Sequence, residues 1–274
     1  MGACHEPGTM GRLSDALVLG RRIVRVAYEQ EVKYPAAALA YYAFVSFVPV
    51  LLIVFALFGE QLAARVQTST PRFLTLGARQ LVYEATTTAT GRTGAAALAI
   101  VVLAWSATNV AVGFLAVVER VEGVRDRPLR YQLRDAAVVL GSLVLTIGAI
   151  ILASTLFGTP GGTAIGLGAL VVALSVVFVP LYYVPSRTLD RPAAALPGAI
   201  TAAVGLTTIH AGVHLYAVNA GRFAVYGVLS GIIVMLTSLY LASAVLLTGI
   251  IVNATVADPS VASGDSRAGD SAAE

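Results

Sequence analysis

Apolar residues in this chain come in long uncharged blocks and do not alternate with polar ones. Residues 35–58 read PAAALAYYAFVSFVPVLLIVFALF, 24 positions without a charge. A helix rises about 1.5 Å per residue, so about 20 apolar residues cross a hydrocarbon core of about 30 Å. Further uncharged runs cover 93–118, 136–186, 192–221 and 223–257. The run 136–186 has 51 residues, too long for one crossing, and holds Gly158-Thr159-Pro160-Gly161-Gly162. Glycine and proline break helices, so a tight hairpin is expected there. The pattern predicts an all-α, polytopic membrane protein with six transmembrane helices, near 35–58, 93–118, 136–157, 163–184, 193–217 and 225–254. One membrane domain, 35–257, takes up most of the chain.

The flanks read differently. Residues 14–33 suit an amphipathic helix, with Ser14 as cap and Asp15 in the first turn. Leu13, Leu17, Ile23 and Val24 lie on one side, and Arg21, Arg22, Arg25 and Glu29 on the other. With the first residues it makes up a cytoplasmic segment, 1–34, whose helix suits either the membrane surface or an ordinary basic flank before the first span. In the 59–92 loop, Thr70-Pro71 marks a helix start. Residues 258–274 are small, polar and acidic, a composition that predicts disorder.

Composition supports the membrane reading. Hydrophobic residues make up 57% and charged residues 12%, with a mean hydropathy of +0.82. A water-soluble core of that make-up would leave broad apolar surface in solvent. The net charge of +3 is too small for a nucleic-acid partner. The single cysteine, Cys4, excludes an internal disulfide. Lys and Arg divide unevenly between the two sides: twelve in the N-terminal segment, the 119–135 loop and the 185–192 loop, five in the other loops. The positive-inside rule then places both termini in the cytoplasm of a multi-pass protein of the cell membrane.

Candidate chemistry is sparse. Tyr41, Tyr42 and Ser46 put hydroxyls into the first span, where Pro49 leaves the Val45 carbonyl without its helical donor and Ser46 is placed to help repair the break. Ser106 and Thr108 add hydroxyls, and Asn109 an amide, to the second span. His210 and His214 share a face at i and i+4, a spacing that serves a metal, a proton relay or a plain hydrogen-bonded pair. No Cys or acid lies in a predicted span to complete a metal site, so neither metal nor other cofactor is expected. Pro180 and Pro185 flank Tyr182 and Tyr183. The acids Glu119, Glu122 and Asp126 are interleaved with Arg120, Arg125 and Arg127, which fits a salt-bridged helix end better than metal-assisted hydrolysis. No Gly-rich phosphate loop and no nucleophile–base pair is visible, so no enzyme is expected. Gly162/Gly166 and Gly227/Gly231 match a small-xxx-small spacing and allow close helix contact or a homo-oligomer.

Four stretches carry a resemblance to the YihY/BrkB family of inner-membrane proteins, once labelled ribonuclease BN. They are Ala38-Leu-Ala-Tyr-Tyr42 with Ser46 and Val48-Pro49; Trp105-Ser106-Ala107 with Arg120 and Arg127-Pro128; Leu181-Tyr-Tyr-Val-Pro185 with Pro197-Gly198-Ala199; and Tyr226-Gly-Val-Leu-Ser230 with Tyr240 and Val245-Leu-Leu247. The resemblance spans roughly 38–247 and implies six transmembrane helices with cytoplasmic termini and no settled molecular function. Two positions depart from it: Ile250 stands where the family often has an acid, and Glu119 where it often has Asn. Together the residues suggest transport or export of a small polar solute or a lipid. The alternative is an envelope-integrity or scaffold protein. Candidate contact residues are Tyr41, Ser46, Pro49, Asn109, Tyr182, His210 and Tyr226, with a cytoplasmic basic loop of Arg120, Arg125, Arg127 and Arg187.

Overall fold

The structure, a computed structural model, describes Arg25 and residues 31–66, 89–123, 129–155, 162–219 and 227–257. These residues form six α-helices and no strand. They are α1 (Lys33–Val66), α2 (Ala89–Glu122), α3 (Leu129–Ser154), α4 (Gly162–Tyr183), α5 (Leu196–Val218) and α6 (Gly227–Ala257). A 3-10 turn, Pro192–Ala195, leads into α5. Of these, α2 to α6 are long and apolar enough to cross a membrane. The 34-residue α1 contains the uncharged run 35–58.

Helix limits differ from the uncharged runs for a physical reason. The α3 helix begins at Leu129 because charged residues continue a helix's hydrogen bonds, and Arg130 and Arg134 have helix propensities close to that of leucine. Counting uncharged positions finds where lipid can surround a helix, not where its hydrogen bonds begin. Asp135 therefore lies inside α3, one position before the expected span, and is 1% exposed, so a buried acid falls within a helix long and apolar enough to cross a membrane. Its carboxylate pairs with Arg134 at 3.2 Å. Glu31, with φ +50°, sits in a turn just before α1, so a helix expected over 14–33 does not run unbroken into the span. The rest of that helix, the Thr70-Pro71 helix start and the 258–274 tail lie outside the described residues.

The helices close into a ring. Each packs on its neighbours in the chain, α6 returns to α1, and α2 touches α6 across the bundle. Lipid tails are as apolar as leucine, so helices associate here through close packing and hydrogen bonds. Accordingly, large apolar side chains such as Leu98, Val101, Leu152, Ile165 and Val176 point outward, each more than 60% exposed. Small ones, among them Ala111, Ala195, Ala199, Ala202 and Ala203, are buried at 0–1%. On α4 the buried line is Leu170, Leu174, Phe178 and Leu181.

The closest approach joins α5 to α6. A Cβ on Gly198 would collide with the Gly249 carbonyl and lie 2.6 Å from Asn253 Cγ. A Cβ on Gly249 would lie 2.6 Å from Tyr182 Cζ. Farther along, a Cβ on Gly205 would lie 2.6 Å from Val245 Cγ1. The expected small-residue motif at Gly227/Gly231 behaves otherwise, since Gly231 is exposed with no atom near its Cβ position.

Candidate functional site

Two polar neighbourhoods stand out, one midway along the bundle and one at its basic end. The first is the seam between α1 and α2. Ser46 lies 13 residues past the start of α1, about 20 Å along the helix, and Ser106 lies near the middle of α2. The Ser46 hydroxyl donates to Ser106 Oγ at 2.6 Å, and Ser106 donates to the Tyr42 carbonyl at 2.6 Å. Ser46 Oγ also lies 2.9 Å from that carbonyl. Ser46 is thus engaged with α2 and its own helix, and does not repair the Val45 carbonyl left open by the buried Pro49.

Aromatic rings flank this relay. Tyr42 meets Trp105 edge to face at 5.6 Å and Tyr41 at 5.5 Å. Ser106 is fully buried, whereas Tyr41 and Trp105 are 58% and 53% exposed. Asn109 Nδ2 donates to the Trp105 carbonyl at 2.7 Å, and Thr108 donates to Ala104 at 2.8 Å. Tyr41, Trp105 and Thr108 are therefore exposed along the seam, Asn109 is half-buried, and the innermost hydroxyl, Ser106, is closed off.

The other candidates lie elsewhere. His210 and His214 stand on α5, whose main packing partners are α4 and α6. Among the described residues no third His, Cys, Asp or Glu joins them. Tyr182 is 3% exposed, donates to the Leu246 carbonyl at 2.8 Å, and packs with Phe114 and Phe178 at 6.3 Å each. It ties α4 to α6. Arg120 is exposed in the last turn of α2. Tyr226, Arg125 and Arg127 lie outside the described residues.

The second neighbourhood was only partly visible in the sequence. Glu122, at the end of α2, accepts from the Ser186 hydroxyl, from the Arg187 N–H at 2.9 Å and from the Thr188 hydroxyl at 3.3 Å. The interleaved charges suggested a salt-bridged helix end. The Glu122 carboxylate clasps the loop between α4 and the 3-10 turn, because backbone and hydroxyl donors 64 to 66 residues away are brought within reach; Arg125, Asp126 and Arg127 of the interleaved run lie outside the described residues. Beside it, Asn253 Oδ1 accepts the Gly198 N–H at 2.7 Å. Asn253 Nδ2 is buried without a hydrogen-bond partner among the described residues. Glu122, Tyr182, Ser186, Thr188, Ile250 and Asn253 line a cavity of about 10 Å³, room for about one water. A water there would give the orphaned amide an acceptor and Glu122 a further donor.

On the outer side of the same end, three guanidiniums surround one ring. Arg130 lies 4.8 Å from the centroid of Tyr131, and Arg134 and Arg187 each lie 5.6 Å from it. Arg134 Nη2 also reaches the Val184 carbonyl at 3.4 Å. The sequence placed Arg187 in a basic loop but gave no sign that it meets the first turns of α3.

A scan against family models matches the one described as "Virulence factor BrkB" over residues 23–273. No curated protein and no solved structure matches the chain.

Proposed function

Because the chain belongs to the BrkB family of membrane proteins, we propose that it carries a small polar solute or a lipid across the cell membrane, with the α1–α2 seam as its contact surface. The observation that carries this reading is the exposed pair Tyr41 and Trp105 at mid-depth, beside Thr108 and Asn109. Polar groups in the middle of a span cost free energy when they face lipid, and therefore point to a task beyond packing. A headgroup or solute passing along the seam would find hydroxyl and amide partners there, while Pro49 weakens α1 at the same depth. On the Lys and Arg count the termini face the cytoplasm, in an inner or plasma membrane.

A second reading has its own support. The tight crossing of Gly198 and Gly249 and the alanine-lined interior suit a sealed envelope-integrity or scaffold protein that moves nothing.

Thiol accessibility separates the two. In a Cys4→Ser background, single cysteines at positions 41, 46, 109 and 210 are probed in intact membranes with a small charged thiol reagent. In parallel, the protein in liposomes is assayed for movement of fluorescent lipid between leaflets. Transport along the seam predicts labelling at 41 and 109 and lipid movement above protein-free vesicles. Labelling confined to loop controls, with no movement of lipid or of a panel of small solutes, would favour the scaffold.

A further inference from the structure

We propose that Arg130, Arg134 and Arg187, gathered on Tyr131 at the basic end of α3, hold the phosphate of an anionic phospholipid whose acyl chains lie along the outer face of α3. The site is independent of transport, since its readout is equilibrium binding.

Among the described residues, positive charge at this cluster exceeds the acids that face it. Cations within about 6 Å of an aromatic centroid gain from its quadrupole, but three on one ring repel one another. The positive end of the α3 dipole adds to that potential, and the first turn of α3 holds no acid. Among the described residues, the nearby acids do not answer all three arginines. Asp135 pairs with Arg134 from a buried position. Glu122 is taken up by Ser186, Thr188 and the backbone N–H of Arg187. Asp190 stands exposed in a separate groove with Arg191 and Ala257. Among the described residues neither Arg130 nor Arg187 has an acid within ion-pair distance. Guanidinium forks match the oxygens of a phosphate, and an anion between them would turn the repulsion into attraction.

Position selects a lipid over a soluble phosphate. By length and composition, the stretch of α3 able to cross a membrane begins at Arg130 and that of α4 ends at Tyr183, which sets the cluster at the boundary of hydrocarbon and headgroups. Below it, one exposed stripe runs down α3 through Leu133, Ala137, Gly141, Leu145 and Gly148 to Leu152. Gly141 and Gly148 have no atom near their Cβ positions, which leaves a shallow track between leucines that are 61–70% exposed. Arg134, Gly141 and Gly148 follow one another at seven-residue intervals, so the track leads straight from the charged cluster. Basic pockets of this kind at the cytoplasmic boundary suit acidic lipid headgroups.

The test uses the full chain in phosphatidylcholine nanodiscs, titrated with phosphatidylglycerol and read by native mass spectrometry. Saturable binding is expected for phosphatidylglycerol and not for added phosphatidylcholine. At about fivefold per arginine lost, the double variant Arg130→Ala/Arg187→Ala should bind roughly 25-fold more weakly. Arg130→Lys/Arg187→Lys should fall between it and the parent chain, because charge survives and the forks do not. Gly141→Leu fills the track without touching charge and should also weaken binding. Melting in phosphatidylcholine alone checks that each variant is folded. Equal binding of the two lipids, or unchanged affinity in the double alanine variant, would overturn the proposal. Competition by glycerol phosphate or inorganic phosphate as effective as by the lipid would overturn the lipid assignment.

Discussion

Asn253 on α6 caps the first turn of α5: its Oδ1 accepts the Gly198 N–H at 2.7 Å. The α5 helix has no side-chain cap of its own, since Ala195 occupies the N-cap position. The 3-10 turn already takes the Leu196 N–H on the Ala193 carbonyl, and Pro197 has no N–H, so Gly198 carries the next first-turn donor that needs an acceptor. Glycine at 198 lets the two backbones come close enough for the short Asn253 side chain to reach.

Replacing Asn253 with alanine should leave a buried N–H without an acceptor, at a cost of about 1–3 kcal/mol. Reversible unfolding in mixed micelles measures it. A loss within error would mean that water takes over the cap.

Gly198→Ala and Gly249→Ala should each destabilise the fold by about 1–3 kcal/mol, because the added methyl meets backbone or a buried ring. Gly212→Ala and Gly231→Ala, where no atom lies within 4 Å, should be close to neutral. Thermal melting of the four variants decides, and equal effects at all four would rule out the crossing as the cause.

The Ser46–Ser106 bond joins α1 to α2 across their seam. Hydrogen bonds between membrane helices average about 0.6 kcal/mol, so a double-mutant cycle of Ser46→Ala and Ser106→Ala should return a coupling of that size. Zero coupling would mean that each hydroxyl is satisfied by its own helix alone.

Glu122→Ala should free the 186–188 loop, since three donors lose their acceptor together. Hydrogen exchange at the Arg187 amide should speed up by at least about tenfold, the equivalent of roughly 1.4 kcal/mol. Glu122→Gln keeps one acceptor oxygen and should give a smaller increase. An unchanged rate in the alanine variant would show that other contacts hold the loop.

Much of the architecture followed from local chemistry. Lipid demands that every backbone polar group be satisfied within its own segment, so long uncharged blocks become helices whatever surrounds them. The apolar blocks, the all-helical class and the family resemblance were therefore readable from the chain. The hydroxyls of Tyr41, Ser46 and Ser106 were visible too, because polar groups stand out in such a background.

Which face each helix buries was not readable. On α4, Leu170, Leu174 and Leu181 are buried while Ile165, Val172 and Val176 are exposed, and the two sets have the same chemistry. In water the hydrophobic effect would sort them, but in lipid both faces are apolar and packing alone decides. The basic end hid for a different reason. Glu122 meets Ser186, Asn253 meets Gly198, and Arg187 meets Tyr131 across 55 to 64 residues. Sequence by itself determined which segments are helices able to lie in a membrane. Tertiary structure alone decided which polar groups meet, because those meetings depend on how the ring of helices closes.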